Sequence, residues 1–415
     1  MSKQIGGVDY KLFFAIFFLV VFGMIMISSV SVYPSFRVTN AMVKAGLIES
    51  SYNYFYVIRN IFHVVLSMVV LGFVVKIPYT FFEKYSRQFL LFSIVLLIVV
   101  LIIGPSWNGA RGWINLPFLP FAIQPTEFLK ISLITYFAYF FKRYKGVLHT
   151  FSDGFIPFSV ILFLLVFLIG LQPDFGTILL IVPLSMIMFF SAGANVKYLF
   201  ILVVSGMLFA GLIYSLGKYD KSFPESRNKL SYITDRIDNF LSNSEESIKN
   251  KTINYQTEQA LIAIGSGGFG GLGFGKSIQK FGYLPEVQGD FIFSVIVEEL
   301  GFIGAFTLIL LYLYIAYRGF MIASHVDDLF AKYVATGITT WILLQSFINI
   351  GINLNIIPLT GITLPFVSYG GSSLLSLSVG LAILLNISRY ADFTKKKLRG
   401  GKSLKIISLF SKNLF

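Results

Sequence analysis

Residues 256–301 read QTEQALIAIGSGGFGGLGFGKSIQKFGYLPEVQGDFIFSVIVEELG. The stretch begins polar at Gln256, passes seven glycines between Gly265 and Gly275, reaches Asp290, and runs on into an apolar segment that carries Glu298 and Glu299. A carboxylate at the mouth of a membrane helix is costly to place, so acids at that depth are functional-site candidates by default. Glycine permits close backbone approach and left-handed turns. Together these features describe a site at a membrane surface, with a flexible glycine-rich cover and an acid beneath it.

The chain on either side is of the same kind. Of its 415 residues, 56% are hydrophobic, 45 are Phe, and only 13% are charged, against about 25% charged residues in a soluble domain. Apolar stretches of about 17–25 residues, each long enough to cross a bilayer, recur along the chain. The alternating strands of about ten residues that a membrane β-barrel needs do not occur. The expected fold is therefore all-α and polytopic. Ten spans are read at roughly 11–32, 56–76, 89–104, 126–142, 154–171, 176–191, 197–217, 290–317, 331–351 and 366–388. One large extracytoplasmic loop, 218–289, separates the seventh from the eighth, and a short amphipathic helix is expected in it near Ser231–Leu241. Residues 1–392 form one membrane domain, and 393–415 a basic tail. The first span follows Lys3 and Lys11 as a signal sequence would. With nine spans after it and no small-residue cleavage site, it reads as an uncleaved anchor.

An even number of spans puts both termini on one side. The short loops and tail on that side carry 19 Lys and Arg, and the opposite short loops carry four, Arg37, Lys44, Arg59 and Arg111. The positive-inside rule then places both termini in the cytoplasm and the large loop outside. The net charge of +13 is mostly this bias plus the tail KKKLRGGKSLK, which suits an anionic inner leaflet rather than nucleic acid. The absence of cysteine excludes disulfides and thiolate chemistry, and three scattered histidines make a His-built metal site unlike this chain. The glycine run contains neither a P-loop nor a dinucleotide fingerprint, so no organic cofactor is expected.

Several short motifs carry charge or backbone breaks. GARGWI, with Arg111, precedes QPTEFLK, in which Pro125 and Thr126 suit a helix start and Glu127 and Lys130 share one helix face. Two functions are open for these residues: an ion pair that orients helices, or an anion site in which Lys130 and Arg111 meet a phosphate. Gln172-Pro173-Asp174 interrupts two spans, either as a plain tight turn or as broken backbone that puts Asp174 beside a cavity. Asp290 could equally cap the helix that follows. Glu298 and Glu299 cannot point the same way, so one is expected to face inward and pair with a cation. The small residues of SYGGSS, from Ser368, suit close helix packing.

Taken in order, GARGWI, QPTEFLK, QPDFGT, YQTEQALIAIGSGGFGGLGFGKS, YLPEVQGDFIFSVIVEELG and GITLPFVSYGGSS resemble the SEDS family of bacterial cell-wall polymerases, whose members include FtsW, RodA and SpoVE. The resemblance runs from the first span to Arg389. GLGFGKSIQKFGYLPE and LPFVSYGGSS are more similar to FtsW or SpoVE than to RodA, whereas QPDFGT leans towards RodA. The resemblance implies a peptidoglycan glycosyltransferase of the bacterial cytoplasmic membrane that polymerises lipid II. It also implies a class B penicillin-binding protein as transpeptidase partner, alongside other division or elongation membrane proteins. It gives Asp290 the place of the essential acid. It puts Arg111, Lys130, Glu127 and Asp174, with Gln256 and Ser368, in contact with substrate, and it leaves room for a divalent cation, Mg or Mn. The chain departs from the family pattern at Gln288-Gly289, where His-Thr is usual, at Gly112, where a second arginine is usual, and at Thr126, where serine is usual.

The chemistry expected of such a site is a single inverting displacement. Asp290 deprotonates the acceptor 4-hydroxyl, and Arg111 and Lys130 offset charge on the departing pyrophosphate. Two rivals remain at the level of sequence. A lipid II flippase would rely on Glu127, Lys130 and Asp174 and have little need of Asp290; a scaffold that only recruits a transpeptidase would need none of them.

Overall fold

A computed structural model describes residues 6–105, 112–115, 122–220 and 251–393. Arg111 and the helix expected near Ser231–Leu241 lie outside these residues. Each of the ten spans is a helix: α1 (Tyr10–Val30), α3 (Phe55–Val74), α5 (Ser86–Ile103), α6 (Pro125–Arg143), α7 (Ile156–Gly170), α8 (Phe175–Ser191), α9 (Val196–Asp220), α11 (Ile292–His325), α12 (Leu329–Asn353) and α13 (Gly371–Ser388). Seven helical stretches are long and apolar enough to cross a membrane, with that of α7 beginning in a π-helical turn at Phe151–Phe155; α8 and the first part of α9 are shorter apolar helices. Three helices escape a reading by span length: α2 (Val32–Lys44), α4 (Tyr79–Lys84) and α10 (Lys251–Gly267).

Local chemistry sets the helix starts. Asp9, Asp174 and Asp328 cap α1, α8 and α12 by accepting from the N–H of Leu12, Thr177 and Ala331 at 3.0–3.1 Å, and Pro125 opens α6 where no backbone N–H is needed. The last span starts at Gly371 rather than 366 because residues 364–370 form a turn, with Phe366 at φ 63° and the Ser368 hydroxyl accepting from the Leu364 N–H at 2.8 Å.

The centre of the bundle is α12, which packs against α6, α8, α11 and α13. In α12 and α13, 78% and 83% of the membrane window is buried, against 28% in α3 and α5, so the latter are peripheral and present their faces to lipid. Close approach at the centre depends on small residues. A methyl group on Gly337 would stand 2.7 Å from the side chains of Ile134 and Met188, so side chains of α6 and α8 lie directly against the α12 backbone. Phe14, Phe73, Phe92 and Phe163 point outward from the peripheral helices.

The start of α1 meets the end of α13. Gly6 N–H donates to the Arg389 carbonyl at 3.1 Å, Asp9 N–H donates to the Ser388 hydroxyl at 2.9 Å, and Asp9 pairs with Arg318 of α11. Both described ends therefore lie at the same end of the bundle, as an even number of crossings requires.

The glycine-rich run is not a flexible cover. Helix α11 breaks at Gly301 (φ 66°, ψ −166°), and residues 268–273 dock into the break. Leu272 and Gly273 N–H donate to the carbonyls of Glu298 and Glu299 at 2.9 and 3.0 Å, and Phe302 and Ile303 N–H donate back to Gly268 and Phe269 at 3.0 and 3.3 Å. Gly271, at φ 79°, sits so close that a methyl group would collide with the Glu299 carbonyl. The glycines here serve contact rather than mobility. Two buried carboxylates hold the rest of the loop. Glu298 accepts from the Ser277 hydroxyl at 2.5 Å and the Ile278 N–H at 2.9 Å, and Glu299 accepts from Lys280 Nζ at 2.8 Å and the Ser29 hydroxyl of α1 at 2.6 Å. The expected pairing of one of these acids with a cation is thus met by Glu299 and Lys280.

Candidate active site

Following the crossings, the starts of α3, α6, α8, α11 and α13 and the end of α12 all gather at the end of the bundle opposite the termini. Between them lies a cavity of about 540 Å³, within the size range of small-ligand sites. Four residues singled out from sequence line it: Glu127 and Lys130 of α6, Asp174 before α8, and Asp290 before α11.

Asp290 is delivered by amides of α12. Its backbone carbonyl accepts from Nδ2 of Asn349 at 2.8 Å and of Asn353 at 2.9 Å. The Asn353 carbonyl oxygen in turn accepts from the N–H and hydroxyl of Ser294 at 3.1 and 2.6 Å. The preceding residues are tied to the 364–370 turn. The Ser368 hydroxyl donates to the Gly289 carbonyl at 2.7 Å, and Tyr369 N–H donates to the Gln288 carbonyl at 2.8 Å. The N-cap of α11 is Phe291, with no side-chain cap, so Asp290 is not that helix's cap.

Lys130 and Glu127 form a buried pair at 2.7 Å. Lys130 Nζ also donates to Gln345 Oε1 at 3.4 Å and lies 5.0 Å above the Trp341 ring, and Glu127 accepts from the Ser376 hydroxyl at 2.7 Å. The pair joins α6 to α12 and α13 as the helix-orienting reading expects, and it also faces the cavity. A buried cation held this way is preorganised for a ligand anion. Asp174 likewise has both roles. It caps α8 through Thr177 and receives the Thr126 hydroxyl at 3.3 Å while lining the cavity, so the change from serine to threonine keeps a hydroxyl in place.

Two residues expected to contact substrate do not line this cavity. Ser368 does not line the cavity; it is buried beneath the wall and fixes Gly289. Gln256 does not line it either, because α10 carries it on the side of α11 that receives the glycine run. At Gly112, the place of the usual second arginine, a methyl group would meet no described atom within 4 Å.

Sequence reading missed other lining residues. Tyr56, Arg59 and His63 come from α3, and Gln345, Trp113, Tyr369 and Glu286 complete the wall. Arg59 was counted as a loop charge, yet Arg59 and His63 are four apart on an apolar span and share a face, which is the signal that marks them. Glu286 has φ 53°, a left-handed conformation that costs a residue with a side chain about 1–3 kcal/mol. Its side chain is exposed on the cavity lining, and partial desolvation by the surrounding protein raises its pKa above the ordinary glutamate value. Among the described residues no group of three or more His, Asp or Glu is placed to hold a metal ion.

The arrangement offers an acid at the mouth and a fixed cation deeper in, a combination suited to moving a proton at one end of a ligand while holding an anion at the other. Residues 10–392 match the cell cycle protein family of FtsW, RodA and SpoVE. The stage V sporulation protein E of Bacillus subtilis is 36% identical over 344 residues, covering 82% of this chain and 89% of that protein. A probable peptidoglycan glycosyltransferase FtsW of the same organism is 35% identical, covering 96% of this chain and 94% of its own. A chain from a peptidoglycan synthase complex, described as coordinating polymerization and crosslinking, shares the fold with a TM-score of 0.70 at 22% identity, covering 93% of this chain and 99% of that one. The rod shape determining protein RodA of Thermus thermophilus does so with a TM-score of 0.63 at 23% identity, over 93% and 98%. The chain belongs to the FtsW/RodA/SpoVE family of cell cycle proteins.

Proposed function

We propose that this protein is a peptidoglycan glycosyltransferase that polymerises lipid II, a disaccharide-pentapeptide on undecaprenyl pyrophosphate, at the outer face of the bacterial cytoplasmic membrane. The observation that carries this is the single cavity that joins Asp290 to the Lys130–Glu127 pair at the end of the bundle away from both termini. The termini then lie in the cytoplasm, and the cavity opens where lipid-linked sugar is used.

The reaction joins a sugar hydroxyl to the anomeric carbon of a second lipid II. Asp290 takes the proton from the acceptor 4-hydroxyl as its oxygen bonds to the anomeric carbon. The bond to the pyrophosphate breaks, and its electron pair leaves with the phosphate oxygen. Asp290 suits the base because its backbone is clamped by two amides, which fixes where its carboxylate can reach; a positioned base contributes about 10²–10⁴-fold. Lys130 is the buried cation for the leaving group, with Arg59 lining the same cavity, and the sequence resemblance gives Arg111 the same role. A divalent cation, if used, arrives bound to the pyrophosphate and is tested by chelation. A class B penicillin-binding protein supplies the crosslinking step.

The test is polymerisation of lipid II by the purified protein, co-expressed with its cognate transpeptidase, comparing wild type with Asp290→Asn. Glycan ladders from wild type and none from a folded variant are expected. Ladders from both would remove Asp290 as the base. No ladder from wild type with the partner bound would turn the assignment towards transport or scaffolding.

A further inference from the structure

Asp290 shares the mouth of the cavity with a second acid. Glu286 stands four residues earlier, on the turn that brings Asp290 into place: its carbonyl accepts from the N–H of Gly289 at 3.0 Å and of Phe291 at 3.4 Å. Its backbone is left-handed, a conformation that glycine would adopt without strain. Its side chain nevertheless lines the cavity beside Tyr56, with a long hydrogen bond from Gln288 Nε2 at 3.4 Å. Among the described residues no cation pairs with it. The surrounding protein works against its charge and does not offset it. Strain and desolvation of this kind persist where a ligand uses the group.

The cavity has two chemistries. Lys130, paired with Glu127, is the buried cation and Arg59 is a second cation on the lining, while Asp290 and Glu286 stand together on the turn before α11 and form an acidic lip. A pyrophosphate is drawn to the first and repelled by the second. A neutral sugar, rich in hydroxyl and amide donors, suits the second, because an ionised carboxylate accepts several hydrogen bonds and offers none. The lip also holds the base, so the sugar bound there is the one that loses a proton.

We propose that Glu286 is an acceptor-binding residue, whose carboxyl receives hydrogen bonds from the acceptor sugar and turns its reacting hydroxyl towards Asp290. Glu286 neither forms nor breaks a covalent bond. This rests on the glycosyltransferase reading above.

The experiment measures the initial rate of glycan formation against lipid II concentration for wild type, Glu286→Gln, Glu286→Gly and Glu286→Asp, each with its transpeptidase. Loss of hydrogen bonds to a charged group is expected to raise the half-saturating concentration about tenfold or more in the Gln and Gly variants, with the maximal rate kept within a few-fold. The Asp variant is expected to recover part of the loss. Glycine keeps the turn, so the thermal midpoint of Glu286→Gly stays at or above that of wild type, which separates binding from folding. Saturation curves matching wild type would overturn the proposal, as would a fall in maximal rate with unchanged half-saturation. If wild type forms no strands, the glycosyltransferase reading fails and this inference fails with it.

Discussion

Truncation of Asn353 to Ala tests whether the amide clamp sets the reactivity of Asp290. Asn353 is fully buried and makes four hydrogen bonds: Nδ2 to the carbonyls of Asp290 and Asn349, both at 2.9 Å, and Oδ1 from the N–H and hydroxyl of Ser294. The four are not lost equally. The Asp290 carbonyl keeps Asn349, and Ser294 N–H keeps the Phe291 carbonyl at 3.2 Å. Only the Ser294 hydroxyl loses the sole partner described for it. One orphaned buried hydroxyl costs about 1–3 kcal/mol, and the weakened bonds about 1 kcal/mol more, so the expected destabilisation is about 2–4 kcal/mol. Activity should fall further than stability. A reacting group displaced by about 1 Å can cost about 10²-fold, and the carbonyl next to the Asp290 side chain then hangs from one amide. The assay pairs thermal unfolding in detergent with lipid II polymerisation at a temperature where the variant is folded. Asn353→Asp, which keeps the volume and sets an oxygen against two carbonyl oxygens, should be at least as damaging. A variant as stable as wild type and fully active would refute the clamp.

Further expectations concern the buried pair, the docked loop and the acidic lip. Lys130→Met strands the buried Glu127 and should cost about 3–5 kcal/mol, while the double change Lys130→Met with Glu127→Gln should recover much of the thermal stability and none of the polymerisation. Gly271→Ala forces a side chain into φ 79° against the Glu299 carbonyl and should lower the thermal midpoint, whereas Gly270→Ala, where a methyl group meets nothing, should be mild. The folded-state pKa of Glu286 is raised, so the folded protein holds that proton more tightly than the unfolded chain. Stability therefore falls as pH rises from the ordinary glutamate value through the raised one, and Glu286→Gln should lose this slope in thermal melts across that window. The other charged or titratable groups lining the cavity, Tyr56, Arg59, His63, Glu127, Lys130, Asp174, Asp290 and Tyr369, are common to both proteins, so the difference between the two profiles belongs to Glu286.

Membrane spans are legible because their cost is linear in length: a bilayer demands enough consecutive apolar residues, and the ten stretches read as spans are all helices, seven of them long and apolar enough to cross one. Helices α2, α4 and α10 carry no such demand, being short or polar enough to pass for loop. Acids and the lysine at membrane depth stood out for the same energetic reason, and Glu127, Lys130, Asp174 and Asp290 do converge. Glu286 gave no contrast, since an acid in a polar loop is ordinary until the fold sets it on a cavity wall. Asn349 and Asn353 are neutral amides on a span, and nothing local says that their partner is a carbonyl about sixty residues away in sequence. The glycine run was misread for a different reason. Lack of a side chain serves motion and tight contact equally, and only the partner surface, here the break at Gly301, decides between them.

That break constrains how a bulky substrate reaches the cavity. Residues 268–280 are bolted to both halves of α11 and, through Lys280, Glu299 and Ser29, to α1. Raising this side would rupture a buried ion pair and four backbone hydrogen bonds at once, so it behaves as a lintel rather than a door. Helix α3 is held as well: it packs along α13, with Tyr56 and His63 against the Tyr369 ring, and Ala122 and Gln124 are tied to Ser372. A bulky substrate therefore reaches the cavity with this beam in place, not by lifting it.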